Sequence, residues 1–233
     1  MLSPSSPTYR RVDWIAYWLL KWLVVNPLFR LLYRGRVRGV EQVPPAQPLI
    51  IVSNHGSHLD PPLVSNAVRR PVAYMAKAEL FRVPVLKQAI QLYGAYPVKR
   101  GGADRSAIQA TEAALKKGWA VGIFLNGTRT PDGRVPEPHL GAALISARTG
   151  IPLLPVALWG TYDIWPKGRK MPRLGGAVTV HIGSPIPPPA STHRADLEAT
   201  TQACVAEIHR LLAGGRTGQE SPLLTQQAQS GQT

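Results

Sequence analysis

From about residue 35 onwards, short apolar runs alternate with segments whose apolar residues have helical spacing. The runs lie at residues 49–53, 72–75, 119–125, 153–158 and 178–182, and the helical segments at 83–92, 105–117, 140–149 and 194–212. Runs this short are typical of strands, and strands that alternate with helices pack as a sheet covered by those helices. We therefore predict an α/β fold: a single domain with a mixed sheet that helices flank.

The net charge of the chain favours an anionic partner. Twenty-seven Lys and Arg residues stand against thirteen Asp and Glu, which gives a formal charge of +14. Nucleic acid, an anionic bilayer, a phosphorylated substrate and an acidic carrier protein all satisfy such a charge. The cations are scattered and no zinc-finger or aromatic RNA-binding motif is present, so we expect no nucleic-acid partner. Cys204 is the single cysteine, which excludes an intrachain disulfide and a cysteine-based zinc site.

Residues 14–33 are the most apolar segment of the chain, but four residues interrupt the run: Lys21, Asn26, Pro27 and Arg30. A membrane-spanning helix needs about 20 consecutive apolar residues, so a span is only marginally favourable. Several aromatic residues in the segment and the arginines that follow it are typical of the headgroup region. We predict two helical pieces, broken at Asn26–Pro27, that lie in the membrane interface. A buried core helix is the alternative.

The chain therefore divides into three predicted parts. Residues 1–33 form a leader and an interfacial helical segment, and residues 34–213 form the α/β domain. Residues 214–233, rich in Gly, Gln, Ser and Thr, form a disordered tail. This organisation predicts a membrane-associated protein on the cytoplasmic face.

The loop after the apolar run 49–53 carries the sequence NHGSHLD, from Asn54 to Asp60, and precedes two prolines. Proline is favoured as the first residue of a helix, so Pro61 should begin one and Asp60 should cap it. A loop of this length can also fold the Asp60 carboxylate back onto the His55 imidazole, which would give a general base and its orienting partner. Two simpler interpretations stay open: Asp60 is only a cap, and His55 is a loop histidine. His58 competes with His55 for the role of base.

Four blocks of this chain, in order, resemble the glycerolipid acyltransferase family, and within it the 1-acylglycerol-3-phosphate acyltransferases. The family's N-H-x-S-x-x-D block matches the loop just described, and an apolar strand with a central proline matches residues 151–156 (IPLLPV). Between them, residues 94–100 (GAYPVKR) match a G-x-x-x-V-x-R block, and residues 124–130 (FLNGTRT) match F-P-E-G-T-R-S. The resemblance covers roughly residues 35–185.

The resemblance implies a function: acyl transfer from an acyl thioester, on coenzyme A or acyl carrier protein, to the free hydroxyl of a lysophospholipid. It implies His55 and Asp60 as the catalytic pair, with no metal and no cofactor beyond the thioester. It also implies that the third block binds the acceptor phosphate through Gly127, Thr128 and Arg129, and a guanidinium suits phosphate because its rigid fork makes paired hydrogen bonds.

Arg100 and Lys99 of the second block, and Lys77 before it, extend this predicted anion site. Arg100, with Lys99 or Lys77, would complete it, although the two lysines also fit a role as ordinary surface cations. Backbone amides of the Gly56 loop or the Gly127 loop would stabilise the oxyanion.

Asn126 departs from the family, which has glutamate at this position of the third block. An amide keeps an acceptor but gains a donor and loses a negative charge. Three outcomes stay open: the same reaction with adjusted contacts, a different lysolipid or alcohol acceptor, or a weakly active lipid-binding relative. Because the His55–Asp60 pair is intact, an active enzyme is the favoured interpretation.

Overall fold

The computed structural model describes residues 17–45, 47–82, 87–88, 90–91, 95–98, 105–116 and 120–215. Within these residues one sheet has seven strands: β1 (Arg36–Arg38), β2 (Leu49–Ser53), β3 (Val72–Lys77), β4 (Ala95–Val98), β5 (Ala120–Phe124), β6 (Leu153–Trp159) and β7 (Thr179–Ile182). The α-helices after the first strand are α1 (Asp60–Ala67), α2 (Arg105–Lys116), α3 (Gly141–Thr149), α4 (Thr161–Ile164) and α5 (Arg194–Gly215). Two 3₁₀ turns lie at Val40–Gln42 and Ala78–Arg82.

The strand order is β1-β7-β6-β2-β5-β3-β4. β6 and β7 pair antiparallel, while every other neighbouring pair is parallel. The predicted α/β fold with a mixed sheet is therefore confirmed. In the register of the central strands, Ser53 at the end of β2 lies beside Phe124 on β5 and Val156 on β6. The loops that follow these strands consequently meet at one edge of the sheet, where open α/β sheets place their ligands.

Helices cover both faces of the sheet because its central strands are apolar on both sides. On β2, Leu49 and Ile51 face a core that includes residues of α1, whereas Ile50 and Val52 face a core that includes residues of α2, α3 and α5. All four side chains are at most 1% exposed. Burying an aliphatic side chain of this size stabilises a fold by about 1.5–3 kcal/mol. These two cores fix β2, and with it the start of the His55 loop.

Residues 17–32 form one continuous helix with two π-helical stretches, Lys21–Val25 and Leu28–Leu32. The predicted break at Asn26–Pro27 is wrong, because both residues keep helical backbone angles. In an α-helix a proline ring clashes with the carbonyl four residues earlier. Here the amide of Asn26 donates to the carbonyl of Lys21, five residues earlier, and such widened turns give the ring room.

This N-terminal helix has a buried side and an exposed apolar side. Phe29, on the helix, and Tyr33, just after it, pack into the same core as α1. On the other side Trp22, Leu23 and Leu31 are 58%, 70% and 82% exposed. One side of the helix therefore lies in the core, as the alternative interpretation predicted, and the location of the other side in a membrane interface stays a prediction. In the part of the chain that the structure describes, no helix is both long and apolar enough to cross a bilayer.

Several boundaries differ from those predicted, and some predictions fall elsewhere. β1, β4 and α4 were not predicted; β1 has no apolar pattern and forms only by pairing with β7. Helix α5 continues to Gly215, past the expected end at 212. Three predictions lie outside the described residues: Asp104 as the N-cap of the helix that begins at 105, most of the helix 83–92, and the tail beyond 215.

Candidate active site

The loop after β2 brings the two predicted catalytic side chains into contact. His55 Nδ1 and Asp60 Oδ2 are 2.8 Å apart, with the His55 side chain 13% exposed and the Asp60 side chain fully buried. A carboxylate can only accept, so Nδ1 carries the proton and Nε2 is the basic nitrogen. His58 makes no such contact with the carboxylate, and its ring packs edge-on against Trp165 instead, with centroids 5.1 Å apart. The geometry therefore favours His55 over His58 as a base.

The Asp60 carboxylate faces the loop, not the helix that it begins. Besides His55, its Oδ2 atom accepts hydrogen bonds from the amides of Gly56 (2.8 Å) and Ser57 (2.7 Å). The predicted N-cap role is wrong: the residue at the cap position is Leu59, and no side chain caps the helix there. Three donors that converge on one oxygen outweigh the single hydrogen bond that a cap would gain. The amides of Gly56 and Ser57 already have this acceptor, which argues against their assignment to the oxyanion.

The His55 ring lies at the end of a column of three aromatic rings. It stacks on Phe124 with a centroid distance of 4.0 Å and an interplanar angle of 16°, and Tyr74 stacks on the other side of Phe124 at 5.7 Å and 14°. Gly122 makes room for this column, since a Cβ there would lie 2.1 Å from the Tyr74 ring. Stacked rings limit tilting of the imidazole. Sequence reasoning missed Phe124 and Tyr74 as supports, because no spacing signal relates them to His55.

Asn54 holds the loop to the rest of the sheet through its side-chain amide. Its Nδ2 donates to the carbonyls of Gly133 (2.7 Å) and Leu158 (2.9 Å), and its Oδ1 accepts from the Leu158 amide at 2.8 Å. The side chain thus continues the pairing of β2 with β6 beyond the end of the strand. Asn54 is 1% exposed. These contacts assign it a positioning role.

The loop after β5 carries the predicted phosphate-binding residues and is tied to His55. Gly127 has a φ of +62°, which favours glycine. The amides of Gly127 and Thr128 donate within the turn, to Phe124 and Asn126 respectively, and the Thr130 amide donates to the His55 carbonyl at 2.8 Å. The turn brings the third block beside the first, although the amides of Gly127 and Thr128 already have acceptors in it.

The positive charge of Arg129 reaches the same corner. Burial, followed by the charges of Arg129 and then His55, lowers the pKa of His58, while Asp60 opposes the shift. Arg129, His55 and Asp60 all therefore act on one neighbouring ring. Of the other predicted anion-binding residues, Arg100 and Lys99 lie outside the described residues, and Lys77 is the last residue of β3.

The model of a family described as Acyltransferase matches residues 34–159, which is more than half of the chain and includes all four sequence blocks. The chain belongs to the acyltransferase family. The predicted resemblance is thus confirmed.

Similar proteins carry the name 1-acyl-sn-glycerol-3-phosphate acyltransferase. One, the chloroplastic BAT2 protein of Brassica napus, is 34% identical over 158 residues, which are 66% of this chain and 45% of the relative. Another, from Pseudomonas aeruginosa, is 30% identical over 181 residues, 75% of this chain and 68% of that protein. The match with the chloroplastic relatives of Brassica napus and Arabidopsis thaliana spans a little under half of their length.

A solved structure supports the fold. The crystal structure of the 1-acyl-sn-glycerophosphate (LPA) acyltransferase from Thermotoga maritima matches with a TM-score of 0.71 and 27% identity. The match covers 92% of this chain and 87% of that one. The α/β domain is therefore the fold of this family over nearly its whole length.

Asn126, the departure from the family pattern, is built into the loop of this chain. Its side chain is 6% exposed, and Nδ2 donates to the carbonyl of Arg134 at 3.1 Å and to Thr130 Oγ1 at 3.4 Å. A glutamate cannot donate to that carbonyl and would bring two acceptors together. The amide is thus suited to the turn that follows the third block, and that turn contacts the His55 backbone.

Proposed function

We propose that this chain transfers an acyl group from a thioester to the free hydroxyl of a lysophospholipid, namely 1-acyl-sn-glycerol 3-phosphate, which gives phosphatidate. Coenzyme A or acyl carrier protein would carry the donor. The observation on which the proposal rests is the buried His55–Asp60 contact at 2.8 Å, with the guanidinium of Arg129 close enough to influence the neighbouring His58. The names of the relatives support the same reaction.

In the proposed reaction His55 Nε2 accepts the proton of the acceptor hydroxyl, and the hydroxyl oxygen attacks the thioester carbonyl. Asp60 stabilises the imidazolium that forms. When the tetrahedral intermediate collapses, the carbon–sulfur bond breaks and the proton passes to the departing thiolate. General-base assistance of this kind raises a rate by about 10²–10⁴. The chain has no G-x-S-x-G sequence for an acyl-serine, which supports direct transfer. No metal or bound cofactor takes part in these steps.

We assign the acceptor phosphate to the third block, with Arg129 as its main ligand and Gly127 and Thr128 beside it. Arg100 of the second block is a further proposed ligand. A guanidinium offers phosphate two parallel hydrogen bonds, which also sets the orientation of the glycerol backbone. Because the loop that carries Arg129 is bonded to the His55 backbone, a phosphate held there would lie near the base.

A lipid acceptor requires a protein at the membrane surface. The N-terminal helix exposes Trp22, Leu23 and Leu31, and four arginines lie at or after its end: Arg30, Arg34, Arg36 and Arg38. Apolar residues beside cations are typical of segments that lie in the interface of anionic membranes. We propose that the protein is associated with the cytoplasmic face of a membrane through this helix.

The experiment that tests the proposed function is turnover by the purified full chain. Acyl-CoA and acyl carrier protein thioesters are each paired with a panel of lysophospholipids, and product is identified by mass spectrometry. We expect phosphatidate from 1-acyl-sn-glycerol 3-phosphate, and its rate should fall at least about 10²-fold in His55→Ala. His58→Ala is the matched control and should retain most of the activity.

Three results would contradict the proposal. Substantial residual turnover in His55→Ala would exclude this residue as the base. Binding of the lysolipid by a folded protein without product would favour a lipid-binding relative, and product only with other lysolipids would point to a different acceptor.

A further inference from the structure

The segment between α4 and β7 exposes an unusual combination of side chains. Leu174 is 87% exposed and Met171 is 71% exposed, which makes Leu174 the most exposed large apolar side chain among the described residues. Four exposed cations surround them: Lys167, Arg169, Lys170 and Arg173. The sequence has no acidic residue between Asp163 and Asp196. We call residues 165–176 the basic apolar loop.

Hydrogen bonds hold this loop in a defined shape. The Trp165 indole donates to the carbonyl of Arg169 at 2.9 Å, and Arg169 Nε donates to the carbonyl of Met171 at 2.9 Å. The amide of Arg173 donates to the carbonyl of Ile164, also at 2.9 Å. The loop is therefore ordered with its apolar side chains turned outwards. Apolar side chains exposed on an ordered loop indicate a surface that contacts a membrane or another protein.

The loop lies between the candidate active site and the N-terminal helix. At its start, the Trp165 ring packs against His58, the histidine that neighbours Arg129. Just beyond its end, the Val178 amide donates to the Tyr33 carbonyl at 3.0 Å, where the N-terminal helix finishes. Ile164, Trp165 and Tyr33 pack into one core. The loop and the helix therefore belong to the same side of the sheet.

We propose that the basic apolar loop is a second membrane-contacting element, which docks on an anionic phospholipid surface close to the candidate active site. Met171 and Leu174 enter the acyl region while Lys167, Lys170 and Arg173 pair with lipid phosphates. This inference rests on the proposed function, since a lipid acceptor would reach His55 from that surface. Charge alone also suits an acidic protein. The backbone hydrogen bond that joins this region to the end of the N-terminal helix, which exposes apolar side chains of its own, favours the bilayer.

The chain offers a direct way to measure insertion. Cys204 is its only cysteine, it is 1% exposed, and burial raises the pKa of its thiol to about 12. An environment-sensitive thiol probe should therefore label Leu174→Cys selectively, with Lys116→Cys on α2, which packs on the opposite face of the sheet, as the matched control. On mixed phosphatidylcholine and phosphatidylglycerol vesicles, emission of the probe at 174 should shift to shorter wavelength. The probe at 116 should not shift.

Variants then separate the contributions of charge and apolar contact. Replacing Lys167, Lys170 and Arg173 by Gln should lower partition onto the anionic vesicles by roughly a hundredfold at low salt, with a much smaller effect on pure phosphatidylcholine. The double substitution Met171→Ser with Leu174→Ser should lower partition by about tenfold or more, on the anionic vesicles and on pure phosphatidylcholine vesicles alike. Lys116→Gln should leave partition unchanged. Far-UV circular dichroism confirms that each variant is folded.

Three outcomes would overturn the inference. The probe at 174 stays in water while the protein is bound to vesicles, or both loop variants partition onto vesicles like the wild type. In the third outcome, the loop variants lose binding to an acidic carrier protein but keep binding to vesicles. None of these depends on turnover. If the wild type binds vesicles through the loop but forms no product, the proposed function fails and the docking surface stands. If turnover is normal and the probe at 174 does not shift, the docking surface fails and the proposed function stands.

Discussion

The imidazole of His55 lies face to face with the ring of Phe124, with centroids 4.0 Å apart and planes 16° from parallel. Asp60 fixes the same imidazole from its Nδ1 edge at 2.8 Å. The imidazole is thus held by a carboxylate at its Nδ1 edge and by an aromatic ring stacked on its face. Two supports from different parts of the chain define its orientation, and each can be tested separately.

Removing the stacked ring should affect catalysis more than folding. In Phe124→Leu we expect the turnover number to fall by about tenfold to a hundredfold with little change in KM, because a tilted base loses alignment with the hydroxyl. Gly122→Ala should act similarly through the Tyr74 ring, which a Cβ at 122 would approach to 2.1 Å. Steady-state kinetics on both variants check this. A wild-type turnover number in folded Phe124→Leu would contradict the proposed support.

Asn54 should be needed for stability. Asn54→Ala removes the hydrogen bonds to Leu158 and Gly133 and leaves their backbone groups unsatisfied in the interior. We expect the free energy of unfolding to fall by about 3 kcal/mol, measured by urea denaturation. Ser53, which neighbours it, provides the control: Ser53→Ala loses only local hydrogen bonds, to the backbone and side chain of Asn54, and should cost less. Equal losses in the two variants would show that the bridge from Asn54 to β6 contributes little.

Restoring the family residue at position 126 should harm this chain. Asn126→Glu replaces the donor to the Arg134 carbonyl with a carboxylate, and we expect a loss of about 1–3 kcal/mol in the free energy of unfolding. The loop that carries Arg129 should loosen with it, so KM for the lysolipid should rise. Asn126→Gln keeps the amide and serves as the control for side-chain length. Higher activity in Asn126→Glu would instead indicate that the family glutamate acts on the substrate.

The unfolding free energy should depend on pH through Lys21. Its side chain is 3% exposed, and burial, with a smaller contribution from the charge of Arg69, lowers its pKa from 10.5 to about 8. Between these values the unfolded chain binds the proton and the folded chain does not. The contribution of Lys21 to the unfolding free energy therefore rises from pH 8 to 10.5.

Lys21→Met removes this dependence. We expect the variant to be more stable than the wild type at pH 7, with the difference shrinking as the pH rises above 8. Denaturation without vesicles at several pH values measures it. A difference that stays constant with pH would contradict the shifted pKa. Arg36→Met, which replaces an exposed cation, is the control and should give no such trend.

The sequence by itself determined the strands of the central sheet and the meeting of His55 with Asp60. The apolar runs at β2, β5 and β6 are short and continuous, which favoured strands buried on both faces of a sheet. His55 and Asp60 lie five positions apart across a tight loop, so local geometry was enough to join them. Both inferences depended on contacts close in sequence or on a regular pattern.

Only the tertiary structure decided which of several local hydrogen bonds form and which side chains distant in sequence meet. The loop amides of Gly56 and Ser57 turned the Asp60 carboxylate away from the cap position, and π-helical turns carried the N-terminal helix through Pro27. The stacking of Phe124 on His55 follows from the pairing of β2 with β5, in which Ser53 lies beside Phe124. No local pattern encodes such contacts, because their free energy arises only when strands far apart in the chain pack side by side.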